Sequence, residues 1–151
     1  MSNYDSTLDT KVHIALVAHY LDYVAELLKD RAGVHDISKL MPPEKEMFDE
    51  FRPKLDLLNI ESAEYKQALV EMGEVLKHHY AHNSHHPEHF TNGVSGMNLL
   101  DVVEMVCDWM AASQRKDPNG KVNMVWARDR FGLEPQLEAI IANTLKLFET
   151  K

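Results

Sequence analysis

Apolar residues recur every three or four positions along almost the whole chain, whereas the strict alternation that is typical of strands does not occur. The clearest example lies near the N-terminus and consists of Ile14, Val17, Leu21, Val24 and Leu28. Such spacing places apolar side chains on one face of a helix. The sequence therefore predicts an all-α protein, with one compact domain of six or seven helices over residues 1–151.

Glycine, proline and capping residues predict where these helices begin and end. Gly33 is expected to stop the first helix, Pro53 to lie beyond the third, and Ser62 to cap the fourth. A loop is expected over residues 82–96. The predicted helices cover approximately residues 7–30, 36–40, 44–51, 61–80, 97–116, 122–131 and 135–148.

Charge and cysteine content exclude several classes of protein. The formal net charge of -8 argues against a partner as polyanionic as duplex nucleic acid, although a small phosphorylated ligand held by a metal ion remains compatible with it. A single cysteine, Cys107, rules out an internal disulfide and fits a reducing compartment. No long apolar run and no signal peptide is recognisable. We expect a protein of the cytoplasm of a bacterium or a phage-infected cell, with no membrane partner, and a homo-oligomer is compatible with the sequence.

Histidine is the unusual component, since the chain has nine and six of them lie between His78 and His89. Helical-wheel positions place His13 and His79 on the apolar sides of their helices, and His19 and His78 on the polar sides. A buried histidine is more often a hydrogen-bonded core residue than a metal ligand. Two inward histidines beside a dense histidine segment nevertheless favour a metal site. A metal-binding loop without catalytic function is the simpler alternative.

Two further groups of residues fit such a site. His35 and Asp36 combine an imidazole with a carboxylate, a pairing that suits Mn, Fe, Zn, Co or Ni. Lys39 follows one turn later and could neutralise a phosphate oxygen, although it could equally be a solvated lysine behind a cap formed by Asp36 or Ser38. On the helix after Met97, the polar stripe is either a solvated acidic face or a set of carboxylates directed at the metal. The stripe consists of Asp101, Glu104, Asp108 and Arg115.

The order of these residues resembles that of the HD superfamily of helical metal-dependent phosphohydrolases. The elements that carry the resemblance are His13, His35-Asp36, His79, His85-His86 and Asp108. The segment from His35 to Lys39 is similar to the His-Asp-Ile-Gly-Lys signature of the cyclic-dinucleotide phosphodiesterases, with Ser38 in place of glycine. The Gly-Tyr-Pro motif of that branch is absent from this sequence.

A second resemblance covers most of the chain, from about Thr7 to Arg115. His35-Asp36-Ile37-Ser38-Lys39-Leu40 together with His85-His86-Pro87-Glu88-His89 is similar to a family of small, uncharacterised phage and bacterial proteins. That family implies no particular activity.

The HD-like order implies a hydrolase that acts on a nucleotide or another small phosphate ester, with one or two divalent transition metal ions per chain. The implied metal ligands are His13, His35, Asp36, His79, His85, His86 and Asp108. Catalytic roles are expected for Asp36, Lys39, Glu44 and Glu104, and substrate binding for His82, Asn83 and Arg115. Two alternatives stay open, namely an HD-type di-iron oxygenase and a non-catalytic module that binds a nucleotide or a protein.

Overall fold

A computed structural model describes residues 5–148, which form α-helices joined by loops and short 3-10 turns. The α-helices are α1 (Thr7–Val34), α2 (Glu44–Leu55), α3 (Ala63–Glu71), α4 (Gly73–His82), α5 (Leu99–Lys116), α6 (Met124–Phe131) and α7 (Pro135–Lys146). The 3-10 turns are Ile37–Leu40, Pro87–His89 and Gly93–Gly96. No strand is present within residues 5–148, so the prediction of an all-α fold is confirmed. No helix in this range has both the length and the apolar character that crossing a bilayer requires.

The chain divides into two compact units, Met1–His35 and Asp36–Lys151. In the first unit, the described residues are essentially α1, and this helix buries none of its side chains. A single helix has no second element in its own unit on which to form a core. His13 is accordingly exposed, whereas the helical wheel predicts that it points into the protein.

The second unit contains two apolar clusters that hold its helices together. One cluster joins α2 to α3 and the start of α4, and consists of Phe51, Leu55, Ala68 and Met72. The other joins α5, α6 and α7, and consists of Met105, Val106, Ala127, Leu133 and Ile141. In addition, α2 packs against α4 and against the turn Ile37–Leu40. This packing brings the start of α2, the end of α4 and the turn after Asp36 to one place.

The helix predicted over residues 61–80 is two helices, α3 and α4, which meet at Met72. Met72 is 1% exposed and belongs to the first apolar cluster, so packing holds the junction in place. Gly73 follows it and has a low helix propensity, which favours an interruption at this point. Ser62 caps α3 as predicted, because its hydroxyl accepts a hydrogen bond from the Tyr65 amide at 3.1 Å.

Two predicted helix ends are wrong. The first helix continues through Gly33 to Val34, since one glycine in a helix costs only about 1 kcal/mol relative to alanine. Helix α2 continues through Pro53 to Leu55. Phe51 and Leu55 are both buried in the apolar cluster, and their burial offsets the backbone hydrogen bond that Pro53 cannot donate.

The segment between α4 and α5, for which the sequence predicts a loop, contains two 3-10 turns. Its end is anchored by a capping box, in which the Asn98 side chain accepts from the Asp101 amide at 3.1 Å and Asp101 accepts from the Asn98 amide at 2.9 Å. The other carboxylate oxygen of Asp101 accepts from the Ser84 hydroxyl at 2.7 Å. Asp101 is 1% exposed and therefore fastens the residue before His85 to the start of α5.

Candidate metal centre

Four side chains of the second unit direct ligand atoms towards one another. Oδ1 of Asp36 lies 3.4 Å from Nε2 of His79 and 3.5 Å from Nε2 of His85. Nε2 of His86 lies 2.9 Å from Nε2 of His79. The donor atoms of Asp36, His79, His85 and His86 all lie within 4.8 Å of one another. Hereafter these four residues are called the histidine–aspartate cluster.

The spacing of these atoms fits a transition metal ion. Ligands about 2.1 Å from a cation lie about 3.0 Å apart in an octahedral arrangement and about 3.4 Å apart in a tetrahedral one. Three of the separations, at 2.9, 3.4 and 3.5 Å, are close to these values. Three imidazole nitrogens and one carboxylate oxygen also form the type of donor set that zinc, manganese, iron, cobalt and nickel accept.

Asp36 reaches the cluster from an unusual backbone conformation. Its φ angle is 55°, in the left-handed region, which aspartate tolerates better than most residues other than glycine. The carbonyl of Asp36 then accepts from the Lys39 amide at 2.9 Å, which closes the first turn of Ile37–Leu40. The side chain of Lys39 turns back on the same residue, with Nζ 2.5 Å from Oδ2 of Asp36.

Glu44 is a fully buried carboxylate beneath the cluster, with 0% exposure. One oxygen lies 2.8 Å from Nδ1 of His78, and the other accepts from the Ser38 hydroxyl at 2.9 Å and lies 2.9 Å from Nδ1 of His79. Burial by itself would raise the pKa of Glu44, but the hydrogen bonds from His78, Ser38 and His79 outweigh it and hold the pKa below its ordinary value. Glu44 is therefore an ionised acceptor for three donors.

This network determines which nitrogen of His79 carries the hydrogen. The amide nitrogen of Asn83 donates to the Ser38 hydroxyl at 2.9 Å and to the His79 carbonyl at 2.8 Å, which uses both of its hydrogens. Nδ1 of His79 is thus left to donate to Glu44, and Nε2 presents its lone pair to Asp36. This lone pair faces Oδ1 of Asp36 at 3.4 Å and Nε2 of His86 at 2.9 Å, so either a proton or a cation must lie among the three atoms. Burial and the nearby charge of Lys39 lower the pKa of His79, which disfavours the proton.

His85 repeats this arrangement on the opposite side of the cluster. Its ring is 2% exposed, Nδ1 lies 3.1 Å from Oε1 of Glu104, and Nε2 lies 3.5 Å from Oδ1 of Asp36. A carboxylate on Nδ1 of a ligand histidine orients the ring and makes Nε2 a better donor to metal. Glu44 and Glu104 thus each hold one histidine of the cluster by its Nδ1 atom, which leaves Nε2 facing Asp36. The acidic stripe of α5 is consequently directed inward at Asp101 and Glu104.

His86 is kept neutral by its surroundings. Burial, followed by the charges of His85 and His79, lowers its pKa to about 3, while Asp108 on α5 opposes the shift. A neutral imidazole is the form that binds metal, so His86 does not have to lose a proton before it can bind a metal ion near neutral pH. Asp108 is half-buried and close enough for its charge to act on His86.

The remaining predicted site residues lie in other surroundings. The Asn83 amide is occupied in supporting His79, whereas His82 is exposed and stacks on His78 with ring centroids 4.1 Å apart. Arg115 donates to Asp56 at the C-terminal end of α2, with Nη2 2.9 Å from Oδ1. His13 and His35 belong to the first unit, and their part in metal binding stays a prediction.

Sequence reasoning missed the contribution of His78. The helical wheel places His78 on the polar side of its helix, yet Nδ1 of its ring lies 2.8 Å from Oε1 of Glu44. No sequence signal identifies this contact, because only packing buries Glu44 and thereby makes it require several donors.

Comparison with known proteins identifies a family of unspecified activity. No curated protein and no solved structure matches the chain. The description "Family of unknown function (DUF5662)" applies to a family whose sequence pattern matches residues 2–147, which is nearly the whole chain. The chain therefore belongs to the DUF5662 family.

Proposed function

We propose that this chain is a metal-dependent phosphohydrolase that acts on a nucleotide or another small phosphate ester. The observation that carries the proposal is the convergence of one carboxylate oxygen and three imidazole nitrogens in the histidine–aspartate cluster. The resemblance of the motif order to the HD superfamily supports the same reaction class. The one or two metal ions of that class, with His13, His35 and Asp108 as further ligands, belong to the proposal.

A divalent cation held by the cluster would supply a water of lowered pKa and would polarise a phosphoryl oxygen. The chain's own residues prepare the site for that chemistry. Glu44 and Glu104 fix the orientation of His79 and His85. The ammonium of Lys39 is held beside the cluster by Asp36 and can neutralise negative charge that develops on a transferred phosphoryl group.

Metal content and turnover, measured on the same preparations, test this function. The purified protein is expected to contain one or two equivalents of a transition metal per chain, and to release phosphate or nucleoside from a panel of nucleotides. Asp36→Ala is expected to lose metal and turnover while retaining its helical circular dichroism. Asp129→Ala is the matched control, because Asp129 is an exposed carboxylate of α6 that pairs with Arg128.

Three results would overturn the proposal. The first is a protein that neither contains metal nor takes it up on reconstitution. The second is turnover that survives in Asp36→Ala. The third is oxygen consumption by the iron-loaded protein without any release of phosphate, which would favour the oxygenase alternative.

A further inference from the structure

A groove of about 590 Å³ runs along α2 next to the histidine–aspartate cluster. It is lined by Lys39, Phe48, Asp49, Arg52, Pro53 and Asp56. Four of these six residues lie on one face of α2, where positions three and four apart lie above one another, and Asp56 directly follows the helix. Its volume is within the range of small-molecule binding sites.

The near end of the groove touches the cluster through Phe48 and Lys39. The ring of Phe48 packs edge-on against the ring of His79, with centroids 5.8 Å apart. Nζ of Lys39 lies 5.1 Å from the centroid of the Phe48 ring and 2.5 Å from Oδ2 of Asp36. A molecule bound in the groove would therefore lie beside Lys39, whose ammonium contacts the aspartate of the cluster.

At the far end of the groove, Arg52 and Asp56 line the wall and Arg115 of α5 adjoins them, so that two cations meet one carboxylate in a chain whose net charge is -8. Nη2 of Arg52 and Nη2 of Arg115 each lie 2.9 Å from the same oxygen of Asp56. Two guanidinium groups therefore share one carboxylate, and each guanidinium has five N–H donors arranged to match carboxylate and phosphate oxygens. The other acidic residue of the groove, Asp49, is neutralised by its ion pair with Lys45.

The two ends of the groove present different cationic groups, with Lys39 beside Asp36 at one end and Arg52 beside Asp56 at the other. Arg52 follows Phe48 by one helical turn, which places its backbone about 6 Å farther along the axis of α2. The ring of Phe48 also lies between the groove and His79. An anion bound by Arg52 and Arg115 would therefore be a different group from the one that reacts at the cluster.

We propose that the Arg52–Arg115 end of the groove binds a second, non-reacting phosphate group of the substrate. The substrate class would be phosphate esters with two separated phosphates, such as nucleoside bisphosphates. The identity of the reacting phosphate rests on the function proposed above, whereas binding of a phosphate in the groove can be measured without turnover.

Calorimetric binding of adenosine 3′,5′-bisphosphate and adenosine 5′-monophosphate to the full chain tests the proposal. The native protein is expected to bind the bisphosphate about tenfold more tightly, the difference that one additional charge-assisted contact provides. Arg52→Gln and Arg115→Gln are each expected to reduce this preference to about threefold or less. Lys77→Gln is the matched control and should retain the preference, because Lys77 is an exposed cation that pairs with Glu74.

A second variant separates phosphate binding from structural damage. Asp56→Asn removes the carboxylate that competes for both guanidinium groups, so the bisphosphate is expected to bind more tightly than to the native protein. Loss of a merely structural ion pair would not produce such a gain. Circular dichroism of each variant verifies that it is folded, and Arg52→Gln alone suffices if Arg115→Gln does not fold.

The outcomes distinguish this proposal from the proposed function. Equal affinities for the two nucleotides, undetectable binding of the bisphosphate, or a preference that survives in Arg52→Gln would overturn the groove assignment and leave the metal content unaffected. A protein without metal that still prefers the bisphosphate would overturn the phosphohydrolase and leave the groove assignment in place.

Discussion

Glu44 is the residue on which the arrangement of the cluster most depends. A buried carboxylate without partners would be costly, whereas this one accepts hydrogen bonds from three side chains, those of Ser38, His78 and His79. Through His79 it determines which ring nitrogen faces Asp36. We regard Glu44 as a positioning residue, because it contacts Nδ1 of His79 whereas Nε2 of the same ring faces the cluster.

Replacement of Glu44 by Gln is expected to weaken metal binding about 10- to 100-fold, the usual cost of removing a carboxylate behind a ligand histidine. A glutamine has one acceptor oxygen and a donating amide group, so it cannot accept from Ser38, His78 and His79 together. The free energy of unfolding should fall by about 1 to 3 kcal/mol for the same reason. Isothermal titration with zinc or manganese and chemical denaturation measure the two effects.

Glu46→Gln is the control for this variant, because Glu46 is an exposed carboxylate two residues away on the same helix. A spectroscopic test separates positioning from general destabilisation. The ¹⁵N shifts of the His79 ring should show hydrogen on Nδ1 in the native protein and a mixture of tautomers in Glu44→Gln. Unchanged ring shifts together with unchanged metal affinity would show that Glu44 has only a structural role.

The histidines of the cluster should make the metal-free protein sensitive to acid. The pKa of His86 is lowered to about 3, and that of His79 is also lowered, both chiefly by burial. Below the ordinary histidine pKa of about 6.5, the unfolded chain binds protons that the folded chain excludes. The free energy of unfolding should therefore fall as the pH decreases from about 6.5, by up to about 1.4 kcal/mol per pH unit for each such histidine.

Urea denaturation of the metal-free protein at several pH values measures this slope. His86→Asn should show a smaller slope than the native protein, whereas a variant of the exposed His19 should retain it. A free energy of unfolding that is constant from neutral pH to about pH 5 would contradict the neutral, buried state of His86.

At the scale of elements, the connections decide how the helices of the second unit meet. The link between α5 and α6 depends on Gly120, whose amide donates to the Asp117 carbonyl at 2.6 Å. A Cβ atom at Gly120 would clash with the backbone oxygen of Ser113 and would lie 2.8 Å from that of Asp117. Both neighbours are backbone atoms, so neither can move away without changing the end of α5.

Gly120→Ala is therefore expected to destabilise the protein by several kcal/mol, because a Cβ atom so close to two carbonyl oxygens forces the turn to open. Gly73→Ala is the matched control at the start of α4, where a Cβ atom meets nothing within 4 Å. That variant should be neutral or more stable by up to about 1 kcal/mol. Thermal denaturation compares the two, and equal melting temperatures would show that the turn at Gly120 has room for a side chain.

At the scale of the whole molecule, the cluster draws its four side chains from segments that are far apart in the chain. Asp36 precedes the turn Ile37–Leu40, His79 lies in α4, and His85 and His86 follow α4 in the loop anchored by Asp101. Such a site cannot exist in the unfolded chain. Metal binding should therefore be linked to folding of the second unit.

Addition of a divalent transition metal to the metal-free protein is thus expected to raise its melting temperature. At a free metal concentration about 100-fold above Kd, the added stability is about 2.7 kcal/mol. Asp36→Asn should abolish this increase, whereas Asp129→Asn, a change at an exposed carboxylate, should retain it. An equal increase in Asp36→Asn would indicate that the metal binds outside the cluster.

Several features follow from the sequence alone because they depend on local spacing. The helical periodicity predicts the all-α fold, and the helical wheel places His79 inward, where it is 1% exposed. The density of histidines around His85 predicts a metal site in this part of the chain, and His79, His85 and His86 do lie together in the histidine–aspartate cluster. Ser62 as a cap is likewise a local property, since its partner is the amide of Tyr65.

Only the tertiary structure decides which distant groups complete these local features. Glu44 and Glu104 are ordinary helical carboxylates in the sequence, yet packing places each against Nδ1 of a cluster histidine. The break at Met72 and the continuation of α2 through Pro53 depend on an apolar cluster that local propensity does not encode. The groove beside Phe48 likewise arises because α2 packs against the turn that contains Lys39. The physical reason is common to all four: burial and charge pairing act between residues far apart in the chain, whereas periodicity and capping act between neighbours.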